Sequence, residues 1–154
     1  MIISLLITLF SIVPFPNSGM ANSPTSVELR RIELRDSSLY NTLKQTVYEN
    51  PKCFISGMYL LDVSRSSIDY DRFFVHIGDF SPTIYFKDTA RYYCIICDRT
   101  FVLSKNIPND LFEIQDEILT VSLKEYPVYL DRDLSFSFYY VKGKKCVPIS
   151  KSCW

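Results

Sequence analysis

DSSLYNTLKQTVYENP, residues 36–51, is the stretch on which the reading of the fold turns. Leu39, Leu43 and Val47 recur at i, i+4 and i+8, with Tyr40 and Tyr48 flanking the same stripe. That is the period of a one-sided α-helix. Asp36, Ser37 and Ser38 offer side-chain oxygens for the first free N–H groups. Asn50-Pro51 closes the segment, because a proline excludes the helical conformation from the residue before it. These signals predict a helix over roughly 38–49, packed through one face on a sheet.

Outward from this helix, most segments read as strand. On the N-terminal side Val27 to Arg35 alternates apolar and charged residues, with a phase slip that predicts a bulge at Arg30-Arg31. Beyond Pro51, Cys53, Ile55, Tyr59, Leu61 and Val63 share one parity and Phe54, Met58 and Leu60 the other, with Gly57 as a bend, the pattern of a central strand. Phe73, Val75 and Ile77 alternate with Phe74 and His76. Thr83–Lys87, Ala90–Cys97 and Thr100–Ser104 follow as strands, the last pair joined by a turn near Asp98-Arg99. Asp110 to Lys124 divides into a short helical turn (Leu111, Ile114, Ile118) and a strand (Leu119, Val121, Leu123). Phe136, Phe138 and Tyr140 begin a hairpin that turns at Lys142-Gly143-Lys144 into Cys146–Ile149.

One helix and about six strands predict an α+β fold, a curled antiparallel sheet wrapped around the helix. Its competitor is a small all-β sandwich. The element order resembles the cystatin-like and NTF2-like architectures; no motif residue carries that resemblance, so it implies no functional residue.

With 154 residues the chain has the length of one domain. Seventeen basic and 17 acidic side chains balance, which argues against a general nucleic-acid binder, since such a protein needs a basic excess. Residues 2–13 are uncharged and apolar but too short to span a bilayer, which takes roughly 20 residues. Pro14 and Pro16 follow, and Gly19-Met20-Ala21 supplies small residues for a cleavage site. Residues 1–21 therefore read as a secretory signal, leaving residues 22–154 as one secreted or periplasmic domain without a membrane span.

In an oxidising compartment some of Cys53, Cys94, Cys97, Cys146 and Cys153 pair. Connectivity does not follow from sequence, but Cys146 and Cys153 lie close enough to staple the C-terminus. Cys94 and Cys97 have redox spacing, yet their run reads as a strand, on which residues i and i+3 face opposite ways. Neither cysteine pair has the glycine turn of a zinc knuckle, so no metal or cofactor is expected.

His76 is the lone histidine. Beside a cysteine it would form a thiol–base pair, but its setting between Val75 and Ile77 is that of a structural strand residue. Asp69-Tyr70-Asp71 and Asp131-Arg132-Asp133 have the spacing of paired carboxylates and equally that of turns. Asp110 to Asp133 carries seven acids and two bases, whereas Lys142 to Trp154 carries four lysines and no acid. Such segregation suits either a charged partner or mutual attraction of two strips. Tyr92-Tyr93 and Tyr139-Tyr140 each put one ring on either side of a strand, and an exposed tyrosine suits protein or sugar recognition. Together these features lead to the expectation of an exported, non-catalytic module binding a protein or glycan through Tyr92, Tyr93, Tyr139 or Tyr140. The alternative is a small secreted enzyme using a Cys/His or an acidic pair.

Overall fold

A computed structural model describes residues 26–55, 57–80, 90–122 and 133–153. The helix α1 (Ser37–Glu49) forms where its spacing places it. Asp36 caps it, its Oδ1 accepting from the Leu39 N–H at 2.9 Å, and Leu39, Leu43 and Val47 are buried. The strands are β1 (Ser26–Leu34), β2 (Met58–Arg65), β3 (Arg72–Asp79), β4 (Ala90–Ile96), β5 (Arg99–Ser104), β6 (Phe112–Ser122), β7 (Ser135–Val141) and β8 (Val147–Ser152).

All eight join one sheet in the order β6-β1-β4-β5-β2-β3-β7-β8. The expected helix-on-sheet arrangement stands. Among the described residues three features are corrected: the strands number eight rather than about six, the sheet is mixed rather than antiparallel, and β2 begins at Met58 rather than near Cys53. The β4–β5 hairpin enters between β1 and β2, making β1 parallel to β4 and β2 parallel to β5. Among the described residues the strands share one sheet rather than the two of the sandwich alternative. The start of β6 departs from expectation as well. Leu111, Ile114 and Ile118 have helical spacing, but residues from Phe112 to Ser122 pair with β1 along its length, and strand pairing overrides that local period. Ile114 and Ile118 are consequently exposed. The signal segment 1–21, the strand expected at Thr83–Lys87 and residues 131–132 of the second acidic pair lie outside the described residues.

Alternation sorts the strand side chains into two layers. Tyr59, Leu61, Val63, Phe73, Val75 and Ile77 face α1 with Phe101, Phe136, Phe138 and Tyr140, all buried. The opposite face carries a smaller buried cluster of Leu29, Met58, Tyr93, Val102 and Val121. The predicted bulge occurs in β1, where its register against β6 shifts between Arg30 and Ile32. Past it β1 leaves β4, having paired only through Arg30 and Arg31. Asp110, just before β6, receives Lys142 Nζ at 2.9 Å and the Arg65 guanidinium. Its contacts join the loop before edge strand β6 to the end of β2 and to the residue after β7. The acidic and basic strips of the sequence thus do meet, at Asp110 and Lys142.

Cys153 bonds to Cys53, not to the expected partner Cys146. The reason is topological: β8 runs back beside β7 and delivers Cys153 to the loop after α1, whereas Cys146 stays at the other end of β8, a buried free thiol.

Candidate functional site

Strands β2, β3 and β7 each turn alternate residues away from the helix, and their register brings those residues into rows. Asp62 stands opposite His76, and His76 opposite Ser137. In the neighbouring row Ser64 stands opposite Phe74, and Phe74 opposite Tyr139. His76 Nδ1 and Ser137 Oγ are 3.0 Å apart and share a hydrogen bond whose direction depends on the imidazole tautomer. Gly78 makes room for this ring: a Cβ there would lie 3.2 Å from His76 Nε2.

The Phe74 and Tyr139 rings meet edge to face with centroids 5.4 Å apart, a geometry favoured by the ring quadrupoles. Phe74 is 49% exposed, unusual for a phenylalanine in an interior strand. The Arg72 guanidinium sits 5.9 Å from the Tyr139 centroid, while its Nε contacts Asp69 Oδ2 at 2.6 Å. The resulting patch is an aromatic platform bordered by a cation and by a row of carboxylate, imidazole and hydroxyl.

The β2–β3 connection holds this patch in place. Ser66 N–H donates to the Arg72 carbonyl at 2.8 Å, and the Arg65 guanidinium lies 3.6 Å from the Tyr70 ring centroid. Asp69 accepts from the Asp71 N–H at 3.1 Å. Asp69 and Asp71 are therefore turn residues, and no metal-binding group of three side chains occurs among the described residues.

Of the four tyrosines singled out by sequence, Tyr139 alone belongs to this patch. Tyr92 is half-buried and packs toward α1. Tyr93, 3% exposed, lies in the smaller cluster, with its hydroxyl pKa raised first by burial and then by Glu117. Tyr140 is fully buried; its hydroxyl accepts from Gly143 N–H at 3.1 Å, and burial followed by the Asp36 carboxylate raises its pKa. Burial takes Tyr93 and Tyr140 out of a partner's reach. Asp62, Phe74 and Ser137 escaped the sequence reading. Outward parity marks each of them, but only register brings them together.

The thiol–base pair does not assemble. Cys94 faces the helix from β4 and His76 projects from the other side of the sheet. Burial pushes the Cys94 thiol up to about 12, only slightly eased by Arg31, far from an activated thiolate. Cys97 and Asp98, with φ of 51° and 59°, form the tight turn between β4 and β5. Cys94 and Cys97 are both free. The Asp62–His76–Ser137 row has the residue types of a hydrolytic triad, but Ser137 bonds Nδ1 and lies on an interior strand paired on both sides. The strand pairs with β3 and β8 on either side, with a register shift against β8 between Ser137 and Phe138.

No family model, curated protein or solved structure matches this chain.

Proposed function

We propose that the chain is an exported, non-catalytic binding module whose outer sheet face recognises a glycan. The observation that carries this is the exposed Phe74 ring paired with the half-buried Tyr139 ring beside Asp62, His76 and Ser137. A sugar ring has one flat apolar face and a rim of hydroxyls. An aromatic platform flanked by hydrogen-bonding groups complements both. The rigidity of paired strands keeps the ordering cost of binding low. The Cys53–Cys153 bridge and the absence of a membrane-crossing helix among the described residues are compatible with export.

Screening residues 22–154 against an immobilised glycan panel tests this reading. Phe74→Ala and Tyr139→Ala should each lower the captured signal about tenfold or more, as truncation of a central aromatic contact does. Capture unchanged in the double variant refutes the platform. A protein partner would appear instead as capture that glycosidase treatment of the ligand leaves intact. Ser137→Ala separates binding from the hydrolase alternative: a module keeps its capture, while an enzyme would lose turnover.

A further inference from the structure

A slot lies on the other side of β7 and β8, facing the helix. α1 leans toward β1 and β4, and its other flank is tied toward β8 at both ends, with a Thr42–Cys146 side-chain hydrogen bond between the ties. At the N-terminal end Ser38 Oγ donates to the Lys144 carbonyl at 2.8 Å. Past the C-terminal end, the Cys53–Cys153 bond fastens the following loop to the end of β8. Between these ties a slot of about 320 Å³ remains, within the roughly 300–1,000 Å³ typical of small-molecule sites.

The slot has three distinct walls. Phe136, Phe138 and Cys146 close its floor, and Pro148 adds an exposed apolar ring. Along the helix, Gln45, Glu49 and Asn50 supply polar groups, and Ser150 faces them from β8. Lys145 and Lys151 stand at the rim, both exposed, and neither meets a carboxylate among the described residues. Lys151 Nζ lies 5.8 Å from the Phe136 centroid. They belong to the acid-free segment from Lys142 to Trp154, whereas Lys142 is already bound to Asp110.

We infer that this slot binds a carboxylated sugar, with its carboxylate at Lys145 and Lys151. The ring face lies against Pro148 and the floor, and its hydroxyls reach Gln45, Asn50 and Ser150. Two cations against the single Glu49 select an anion, and Glu49 is itself occupied, accepting from Gln45 Nε2 at 2.7 Å. A purely apolar anion would leave the polar walls unpaired, which costs affinity. A free sugar acid and a unit of an acidic polysaccharide share this chemistry. The inference is independent of the platform on the outer face.

Titration of the oxidised protein with glucuronate and with glucose, followed by amide chemical shifts, provides the test. Saturable shifts in α1 and β8 are expected with glucuronate, with glucose about tenfold weaker or more. Lys145→Ala with Lys151→Ala should abolish the difference between the two sugars, while Phe74→Ala with Tyr139→Ala leaves glucuronate binding intact. Tighter binding of an oligo-uronate than of the monomer identifies a polymer as the source, and equal binding identifies the free acid. Replacing Cys53 and Cys153 by serine cuts one tie and should weaken binding of either ligand. Equal affinity for glucose and glucuronate, no saturation by about 10 mM, or sensitivity to the platform variant but not to the lysine variant overturns the inference.

Discussion

Removing the Cys53–Cys153 bridge should be the most damaging single chemical change open to this fold. The bridge closes a loop with a sequence separation of 100. Loop-closure entropy for about 100 residues corresponds to roughly 4.7 kcal/mol at 25 °C. A bridge between Cys146 and Cys153 would span only seven, and the same relation then yields about 2.4 kcal/mol. The two connectivities therefore differ in consequence by about a factor of two. Against a total stability of roughly 5–15 kcal/mol, the longer loop is a third or more of the margin. In urea melts with a slope of about 2 kcal/mol/M, reduction should lower the midpoint by about 2 M. Cys53→Ala with Cys153→Ala should match the reduced protein, while Cys146→Ala leaves the effect of reduction intact. Trypsin provides a direct check, because it cuts after Lys52, Arg65 and Lys151. The non-reduced digest should contain residues 53–65 joined to residues 152–154. A fragment joining residues 146–151 to residues 152–154, or coincident oxidised and reduced melts, would refute the reasoning.

Further outcomes follow from burial, charge and backbone geometry. Leu43 is fully buried under the sheet, so Leu43→Ala should cost about 2–5 kcal/mol, while exposed Lys44→Ala changes stability by less than about 0.5 kcal/mol in the same denaturant melts. Burial pushes the Asp110 carboxyl up, but the Lys142 hydrogen bond, its own backbone and Arg65 outweigh this and hold it below the usual range. A carboxyl with a lowered folded-state pKa stabilises above its unfolded pKa, near 4, and that stabilisation is lost as pH falls through the folded value. Asp110→Asn should therefore flatten part of the acid limb of a stability–pH curve below about pH 4. Alkylation at neutral pH followed by mass spectrometry should label half-buried Cys97 first, with Cys94 and Cys146 reacting after unfolding. Replacing the positive-φ pair by Cys97→Asn with Asp98→Gly should raise stability by about 0.5–1 kcal/mol in thermal melts, since Asn-Gly suits such a turn.

The sequence by itself determined α1 and most of its surroundings. A cap at Asp36, a stripe at Leu39, Leu43 and Val47 and a stop at Asn50-Pro51 act within a few residues of one another, where physics is local. The period-2 runs of β2, β3 and β7, the Arg30-Arg31 bulge and the Gly143 hairpin were legible for the same reason. Tertiary structure alone decided the rest. Alternation says which residues share a side of a strand but not which strand lies beside it, so the insertion of β4–β5 between β1 and β2 had no local mark. The same limit hid the Asp62–His76–Ser137 row and the Phe74–Tyr139 pair, which depend on register across three strands. At Leu111, Ile114 and Ile118 a helical period was present and lost to pairing with β1, because a strand that completes a ladder outweighs a weak local preference. Cys153 chose Cys53 rather than the nearer Cys146 because a disulfide needs its two Cα atoms within a few ångströms, here 5.8 Å, and the path of β8 supplies that separation from a hundred residues away.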